Sequence, residues 1–302
     1  MSTATLDDAT SYLNDLGYRR ILLYVVLGGL VAFYLLPIEA GFVTAFKTQN
    51  AFATVAPYLP PPPAGFTMAK WARAFDILSK GLANSLLLAI PATVLSGVLG
   101  SMAAYGLTTV DWRGQLAVYV LFLVGIFIPY QAVLVPLSQF WSLVLPLTKV
   151  LAPVWAVTGI PAHYGNLLQL ILSHVAYGIP ICTLLFRAHY KDISEEMIEA
   201  ARLDGASVSR IYRRIILPLS IPMFAVVFIY QFTQIYNDLL FALIILPSST
   251  APSAVVTLLL AKLGSGIVTD FSIRMAGAFL AAIPTLLVYV FFGEQFAEGV
   301  RA

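Results

Sequence analysis

Hydrophobic residues along the chain form six long runs separated by shorter polar segments. The runs are residues 21–44, 83–108, 116–140, 167–188, 222–246 and 274–293. Each supplies about the 20 apolar residues that a helix needs to cross a bilayer core roughly 30 Å thick. Backbone groups in lipid need internal hydrogen bonds, and the sequence lacks the short alternating pattern of a barrel. The pattern therefore predicts an all-α polytopic membrane protein with six transmembrane helices.

The runs divide the chain into five segments. Residues 1–20 form a polar N-terminal segment. Residues 21–46 form the first transmembrane helix, which is retained because a cleaved signal would carry its positive charge at the start. Residues 47–81 form an extracytoplasmic loop, residues 82–293 the core transmembrane domain, and residues 294–302 a C-terminal tail.

Two further stretches are predicted on the outer side of the membrane. Residues 141–166 are apolar but interrupted by prolines and a glycine, and two interpretations remain open, a re-entrant piece and an outer cap. Residues 247–273 contain prolines and glycines that fit a loop with a short interfacial helix.

Composition supports a membrane protein and narrows its chemistry. Of the 302 residues, 60% are hydrophobic and 11% charged, with a mean hydropathy of +0.87, whereas soluble domains carry about 25% charged residues. The net charge of +2 gives no argument for a nucleic-acid partner. The chain has one cysteine, Cys182, and three scattered histidines. These residues predict neither a disulfide framework nor a metal site.

Basic residues near the ends of the runs predict the orientation, because cytoplasmic loops carry an excess of lysine and arginine. With both termini cytoplasmic, the inner segments hold ten basic residues: Arg19, Arg20, Arg113, Arg187, Lys191, Arg202, Arg210, Arg213, Arg214 and Arg301. The outer segments then hold seven: Lys47, Lys70, Arg73, Lys80, Lys149, Lys262 and Arg274. We therefore predict that both termini, and the dense cluster that follows Arg187, are cytoplasmic.

The polar stretch 191–222 between the fourth and fifth runs has the pattern of a helical hairpin. Helical spacing groups its apolar residues into one stripe, comprising Ile193, Met197, Ala200 and Ala201. Glu195, Glu199 and Arg202 share another side. Asp204–Gly205 is a turn signal, because glycine adopts the left-handed conformation that ends helices. Ser207 is placed to cap a second helix that carries arginines and a second apolar stripe, comprising Val208, Ile211 and Ile215.

Two interpretations of this hairpin are open. In the first it is a solvated loop whose arginines only set the topology of the membrane protein. In the second it is a docking element, since Glu195 and Glu199 are like charges four residues apart and are better accommodated against a cationic partner. The two apolar stripes and the ordered turn favour docking.

The hairpin sequence resembles a known family. Glu199-Ala200-Ala201-x-x-Asp204-Gly205-Ala206, followed by Ile215-x-Leu217-Pro218, is similar to the E-A-A loop of permease subunits of ATP-binding-cassette (ABC) importers. The resemblance is strongest to the carbohydrate branch, the maltose-type inner-membrane subunit. It extends over roughly residues 70–300 through Asn84-Ser85, Pro129-x-Gln131, Tyr236-Asn237-Asp238 and the stretch from Met275 to Thr285. The chain departs from that pattern in a longer 141–166 segment, in Glu39, and in a C-terminus that ends soon after Gly299.

The resemblance implies a type I ABC importer permease fold and a transport subunit without enzymatic activity. In that family the hairpin is the coupling helix that contacts the ATPase. The ATPase-coupling residues carried onto this chain are Glu199, Ala200, Ala201, Arg202, Asp204, Gly205, Ala206, Leu217 and Pro218. The P-loop pattern G-x-x-x-x-G-K-S/T does not occur, so the chain has no cofactor of its own, and ATP and Mg²⁺ would be bound by partner subunits.

The resemblance also implies partners and a location. The implied partners are a second permease, two ATP-binding subunits, an extracytoplasmic solute-binding protein and the lipid bilayer. The implied location is the cytoplasmic (inner) membrane of a bacterium or archaeon, as a multi-pass protein.

The fifth run is rich in polar and aromatic residues and is the candidate substrate pathway. The residues concerned are Tyr230, Gln231, Gln234, Asn237, Asp238 and Phe241. Polar residues in a span usually face protein or a water-filled cavity, and amide, hydroxyl and aromatic groups suit a neutral polyhydroxylated solute. The resemblance to the carbohydrate branch implies that this solute is a sugar, with a glucose-like monosaccharide suggested by analogy alone. Interhelical hydrogen bonding with a partner permease is the alternative role of these residues.

Three rival functions stay open at this stage. An ABC importer of another small polar solute, such as a polyol, glycerol phosphate or a peptide, shares parts of the hairpin. A secondary transporter would have inverted repeats with paired broken helices, which the sequence pattern does not reveal. An intramembrane enzyme would need clustered His, Asp or Ser residues, and the histidines do not cluster.

Overall fold

A computed structural model describes the backbone of residues 4–265 and 269–301, with side chains from residue 17 to 296 outside 266–268. The first part of this region contains α1 (Ala4–Thr44), α2 (Gln49–Thr54), α3 (Ala69–Gly106), α4 (Gln115–Phe127), α5 (Tyr130–Gln139), α6 (Leu147–Val150), α7 (Ala152–Thr158) and α8 (Tyr164–Tyr190). The remainder contains α9 (Glu195–Leu203), α10 (Val208–Ile211), α11 (Leu217–Leu219), α12 (Ile221–Tyr236), α13 (Leu240–Ile245), α14 (Val256–Lys262) and α15 (Phe271–Arg301). Two π-helical segments, Phe140–Val144 and Tyr212–Ile216, and a 3₁₀ turn at Pro63–Gly65 complete these elements.

The all-α class predicted from the hydrophobic runs is confirmed. Among the described residues, five helical stretches are long and apolar enough to cross a membrane: Gly17–Thr44, Ala69–Gly106, Tyr130–Thr158, Tyr164–Tyr190 and Phe271–Phe296. A sixth span arises if Val208–Leu219 and Ile221–Tyr236, which meet at an angle of 75°, are taken together. Strands are absent from this part of the chain, where one isolated bridge joins Lys47 to Phe66.

Two of the six predicted spans are interrupted. The run 116–140 breaks between α4 and α5, because Pro129 has no N–H to donate and the preceding Ile128 is extended (φ −72°, ψ 116°). The run 222–246 breaks between α12 and α13. There the Asp238 carboxylate accepts hydrogen bonds from the backbone N–H groups of Leu240 (3.2 Å) and Phe241 (3.0 Å), which begins a new helix.

The first helix also begins earlier than expected. It starts at Ala4 rather than at residue 21 and ends at Thr44. Hydropathy identifies only the apolar part of a helix. The polar residues that precede the apolar part can belong to the same helix, as they do here. Composition predicts the apolar stretch Gly17–Thr44 well. Its most apolar part is not buried against the rest of this chain.

The described parts of residues 1–74 and 264–279 form one compact unit. Its centre is the fully buried Lys47, whose Nζ donates hydrogen bonds to the carbonyl oxygens of Ala56 (2.7 Å) and Pro57 (3.1 Å). Burial lowers the pKa of this lysine, and the charge of Glu39 partly opposes that shift. An ion pair at 2.5 Å between Lys70 and Asp270 joins the start of α3 to the residue before α15.

Residues 75–263 with 280–302 form the second unit, a helical bundle that contains both predicted sites. Small residues allow close packing in its core. A Cβ on Gly100 would meet the backbone of Cys182 at 3.1 Å, so α3 and α8 approach closely only because residue 100 is glycine. Asn84 donates hydrogen bonds to the carbonyl oxygens of Pro252 and Ala254, both at 2.9 Å. This residue therefore fixes the loop that leads into α14.

Candidate functional site

The hairpin between α8 and α12 is defined by local capping interactions. Ser194 begins α9 by accepting the backbone N–H of Met197 (3.3 Å), and Ser207 begins α10 by accepting that of Arg210 (3.4 Å). Gly205 has φ +75°, and the N–H of Ala206 bonds back to the carbonyl of Ala201 at 2.9 Å. This is the glycine-based helix ending that the Asp204–Gly205 signal predicted.

The buried face of α9 differs from the predicted stripe. Ile198 is only 6% exposed, whereas Met197 is 45% exposed and Ala200 is exposed. The predicted stripe began at Ile193, but α9 begins at Glu195, so Ile193 lies before the helix and does not set its phase. The stripe predicted for the second helix also shifts. Ile211 is buried as expected, but Val208 is half exposed.

The outer face of α9 carries the predicted acidic residues. Glu195 and Glu199 are exposed, and so is Asp204 at the end of the helix. Leu203 is 89% exposed, which makes it an apolar side chain at the tip of a charged element. Sequence analysis missed Leu203, although its position next to Asp204 was a usable signal. The exposed side of α9 therefore carries three carboxylates and one apolar side chain.

Another carboxylate on α9 serves the cap. The Ser194 hydroxyl donates to Glu196 Oε2 at 2.6 Å. This hydrogen bond lowers the pKa of the Glu196 carboxyl from its ordinary value of 4.5. Glu196 therefore remains charged at neutral pH at the N-terminal end of α9, where negative charge is favourable.

Arg202 is placed differently from the other predicted coupling residues. Its Nη2 donates to the carbonyl oxygen of Thr109 at 2.5 Å, just beyond the end of α3. Arg187 similarly donates to the carbonyl of Leu107 at 3.4 Å and lies over the ring of Tyr119 at 4.0 Å. These arginines bind carbonyl groups that the end of a helix leaves without partners. Arg202 thus ties the hairpin to its own chain.

The remaining coupling residues lie around the turn and at the end of the hairpin. Ala201 and Ala206 are partly buried, Pro218 is exposed, and Leu217 begins α11. The apolar side of the hairpin joins a core cluster in which Ile198, Ile211 and Ile216 pack with residues of α3 and α8, namely Ala104, Tyr105, Cys182, Phe186 and Tyr190.

A cavity of about 310 Å³ lies in the bundle, between the α4–α5 break, α8 and α12. Three of the six predicted pathway residues line it: Tyr230, Gln231 and Gln234. Gln231 is buried, and its amide lies against Gly178 of α8 and close to Ser96 of α3, in space that a Cβ on Gly178 would occupy. Gln234 and Tyr230 remain exposed. The cavity wall from α12 therefore presents two amides and a phenol.

The other three predicted pathway residues lie outside the cavity lining. The Asn237 amide donates to the carbonyl of Thr233 on its own helix (2.9 Å). Asp238 caps α13, and the Phe241 ring is buried and is not part of the cavity lining. These side chains shape the α12–α13 break, and the structure does not bring them together with Gln231 and Gln234 around the cavity.

Three further residues line the cavity and were not indicated by the sequence pattern. Tyr130 and Tyr177 line the cavity with ring centroids 4.2 Å apart, and the Tyr177 hydroxyl donates to the carbonyl of Ile128 at the helix break. His174 also lines it, is 3% exposed, and has its Nε2 atom 3.6 Å from Asp238 Oδ2. The usable signal was Pro129, because an interrupted helix at membrane depth is tolerated where it lines a cavity or packs against protein.

Within the described residues no three His, Cys, Asp or Glu side chains converge as metal ligands. The cavity is lined by aromatic rings, amides and a histidine, with neither a carboxylate nor a lysine or arginine.

Comparison with known proteins identifies the family. Residues 96–301 match the family described as "Binding-protein-dependent transport system inner membrane component". The chain is 50% identical over 300 residues to the xylose/arabinose import permease protein XacI of Haloferax volcanii, covering 97% of this chain and 96% of that protein. It is 28% identical over 287 residues to the glucose import system permease protein GlcU of Saccharolobus solfataricus, covering 92% of each.

A solved structure shows the same fold. It is the crystal structure of a bacterial ABC transporter involved in the import of the acidic polysaccharide alginate, with a TM-score of 0.66 and 18% identity over 92% of this chain and 96% of that chain. The family match and the similarity to XacI confirm the resemblance to ABC importer permeases and the membrane location. They also support a transport component over an intramembrane enzyme. The chain belongs to the family of binding-protein-dependent transport system inner membrane components.

Proposed function

We propose that this chain is the permease subunit of an ATP-driven sugar importer and forms half of its transmembrane pathway. The observation that carries the proposal is the 50% identity over almost the full length to a protein named a xylose/arabinose import permease. Relatives named for glucose and arabinooligosaccharides belong to the same functional class. Sugars are therefore favoured over polyols, glycerol phosphate and peptides. A pentose is favoured over the glucose-like solute suggested by sequence analogy.

The cavity supports a neutral, hydroxyl-rich solute. Its volume of about 310 Å³ is at the lower end of small-molecule sites. The Tyr130 and Tyr177 rings offer faces to the C–H groups of a sugar, and the Gln231 and Gln234 amides offer donors and acceptors to its hydroxyls. The absence of a lysine, arginine or carboxylate from the lining residues leaves no strong attraction for an ionic solute.

The partners follow from the family. A second permease supplies the other half of the pathway, two ATP-binding subunits supply hydrolysis, and an extracytoplasmic solute-binding protein delivers the sugar. ATP and Mg²⁺ are bound by the ATPases, since the chain carries no P-loop pattern. With the arginine-rich hairpin on the cytoplasmic side, its exposed carboxylates and Leu203 face those subunits.

The hairpin couples ATP binding to the pathway through differential affinity. A nucleotide-dependent change in the ATPases shifts the permease between two states only if one state binds the ATPases better. Glu199 is the main polar contact, Ala200 and Ala201 permit close approach, and Gly205 sets the turn.

A charge reversal tests this assignment. Glu199→Lys is expected to leave the subunit in the membrane but abolish co-purification of the ATPase and sugar uptake, because it reverses the exposed charge without disturbing a buried contact. Glu199→Asp keeps the charge and serves as the control, with most of the uptake retained. Normal ATPase co-purification and uptake in Glu199→Lys would contradict the role of this hairpin.

The solute is tested separately from the coupling. The purified transporter with its binding protein, in proteoliposomes, is expected to take up xylose or arabinose on addition of ATP, with less uptake of glucose. Uptake of a peptide or glycerol phosphate, with no sugar transported, would contradict the proposed function.

A further inference from the structure

A buried group of hydroxyls lies where the hairpin leaves the bundle. Ser101 Oγ on α3 is 2.5 Å from the Tyr190 hydroxyl at the end of α8 and 2.8 Å from the Tyr212 hydroxyl at the start of the π-helical segment. Ser101 is fully buried and Tyr190 is 2% exposed. One serine hydroxyl thus joins three elements whose sequence positions span more than a third of the chain.

A fourth residue, also a tyrosine, extends this group to the hairpin backbone. Tyr105, one turn after Ser101 on α3, donates its hydroxyl to the carbonyl of Val208 at 3.1 Å. Its ring also packs against that of Tyr212, with centroids 5.2 Å apart. The second helix of the hairpin is therefore held by directional hydrogen bonds at its first residue and directly after its last.

Apolar packing alone would not fix the position of the hairpin so closely. The isoleucines of the same cluster gain stability from burial, which is roughly proportional to area and has no preferred direction. Hydrogen bonds weaken steeply as donor and acceptor separate or misalign. A small slide of the hairpin therefore preserves most of the apolar burial but breaks the hydroxyl contacts.

We infer that Ser101, Tyr190 and Tyr212 are positioning residues that make the hairpin move as one body with α3 and α8. This inference rests on the proposed function, because it assigns these residues to transmitting the motion of an ATPase to the pathway. None of the three is exposed enough to be a main contact with the ATPase, since Ser101 and Tyr190 are buried and Tyr212 is partly buried. Their role is to preserve the angle between the docked hairpin and the bundle.

The test removes hydroxyls without removing rings. Tyr190→Phe and Tyr212→Phe keep the packing and delete one hydrogen-bond partner each, while Ser101→Ala deletes the shared one. Tyr236→Phe is the matched control. Tyr236 is also 2% exposed and donates to the carbonyl of Ala281 at 3.0 Å, a contact separate from the hairpin. The assay uses the complete transporter with its binding protein and measures ATPase co-purification, ATP hydrolysis and sugar uptake.

The expected result is a loss of coupling with assembly intact. The three hairpin variants should retain ATPase co-purification and hydrolysis, and the sugar transported per ATP should fall about five- to tenfold, the size expected for one or two buried hydrogen bonds. Tyr236→Phe should retain the wild-type ratio.

Two results would overturn the inference. One is a wild-type ratio of sugar to ATP in all three hairpin variants. The other is evidence of a general structural role, which would be either the same loss of coupling in Tyr236→Phe or a loss of ATPase co-purification in the hairpin variants. Failure of the proposed function is distinguishable, because then the wild-type chain itself would show neither ATPase association nor ATP-dependent uptake.

Discussion

The hairpin and the cavity are both built where helices end, but they are built in opposite ways. The hairpin is made from one continuous stretch whose caps, Ser194 and Ser207, and turn glycine, Gly205, are only a few residues apart. The cavity is assembled from α4, α5, α8 and α12, and its walls meet only after the bundle has packed.

The side chains of the hairpin and of the cavity also differ in their chemistry. The hairpin presents carboxylates outward and is fixed inside by isoleucines, tyrosine hydroxyls and Arg202. The cavity contains amides and aromatic rings beside two interrupted spans. Changes in the hairpin should therefore affect transport of every sugar equally, whereas changes in the cavity should depend on the sugar.

The largest expected effect is at the turn of the hairpin. Gly205→Val places a β-branched residue at φ +75°, a conformation in which such residues are outliers. The turn is lost and uptake of every sugar should fall about thirty- to hundredfold, because the cost of roughly 2–3 kcal/mol displaces the docking face. Co-purification and uptake with several sugars are the measurements.

Gly106→Val is the matched control for this change. Gly106 ends α3, has no positive φ, and a Cβ there would meet nothing within 4 Å. A similar loss in both variants would indicate general intolerance of the cytoplasmic side rather than a requirement of the turn.

A large but sugar-dependent effect is expected at Gly178. A Cβ there would meet the Gln231 amide and lie 2.9 Å from Ser96 Oγ. Gly178→Val should therefore push Gln231 into the cavity and reduce sugar uptake about tenfold or more, with ATPase co-purification unchanged, since the hairpin is untouched. Gly125→Ala, where the nearest atom is a Pro180 side-chain carbon at 3.7 Å, should keep uptake. Loss of ATPase binding in Gly178→Val would break the separation between the two regions.

A smaller effect should separate two neighbouring polar residues of α12. Gln234→Ala removes an amide that lines the cavity and should change the ratio of xylose to arabinose uptake a few-fold. Asn237→Ala removes a side chain bound to its own helix and should leave that ratio unchanged. Competition uptake with the two labelled sugars measures both. The reverse ranking would place the pathway on the Asn237 side of α12.

The smallest effect concerns the cap of α9. Ser194→Ala removes a cap, a type of change that costs about 1 kcal/mol, and should increase hydrogen exchange of the first turn of α9 with little change in uptake.

The stability of this cap also depends on pH. The pKa of Glu196 is lowered in the folded protein, so its stabilising contribution is present above pH 4.5 and is lost as the pH falls through the folded-state pKa. The protection factors of the amides in the first turn of α9, which correct for the pH dependence of intrinsic exchange, should fall on acidification in the wild type and change less in Glu196→Gln.

Sequence-based prediction was more accurate for the hairpin than for the cavity. The turn at Gly205 and the cap at Ser207 were predictable because each depends on residues within one or two turns. The buried face of α9 was only partly predicted, since Ile193 and Ala201 pack against the core but Met197 and Ala200 are exposed and Ile198 is buried in their place. Tyr130 and Tyr177 were missed because their proximity depends on how α5 packs against α8, which no local pattern encodes.

The interrupted spans show a second limit. Length and hydropathy marked 116–140 and 222–246 as continuous, and both are broken. Pro129 gave a local reason for the first break. The second depends on Asp238 capping α13, and Asp238 also lies 3.6 Å from His174 of α8. Composition therefore identified most of the membrane segments, but the third apolar stretch is Tyr130–Thr158 and runs into residues predicted on the outer side. The internal geometry of the spans required the packed bundle.

The π-helical segment Tyr212–Ile216 has a consequence for how this chain tolerates insertions and deletions. A π turn accommodates one residue more than an α turn. Deleting one residue within this turn would convert it to an α turn, and the helical segments on either side would keep their relative orientation. Deleting one residue of α12 before Gln231 would instead rotate Gln231 and Gln234 by about 100° about the helix axis, away from the cavity wall. Natural single-residue deletions between the turn and the cavity should therefore be tolerated in the π-helical segment and sparse in α12.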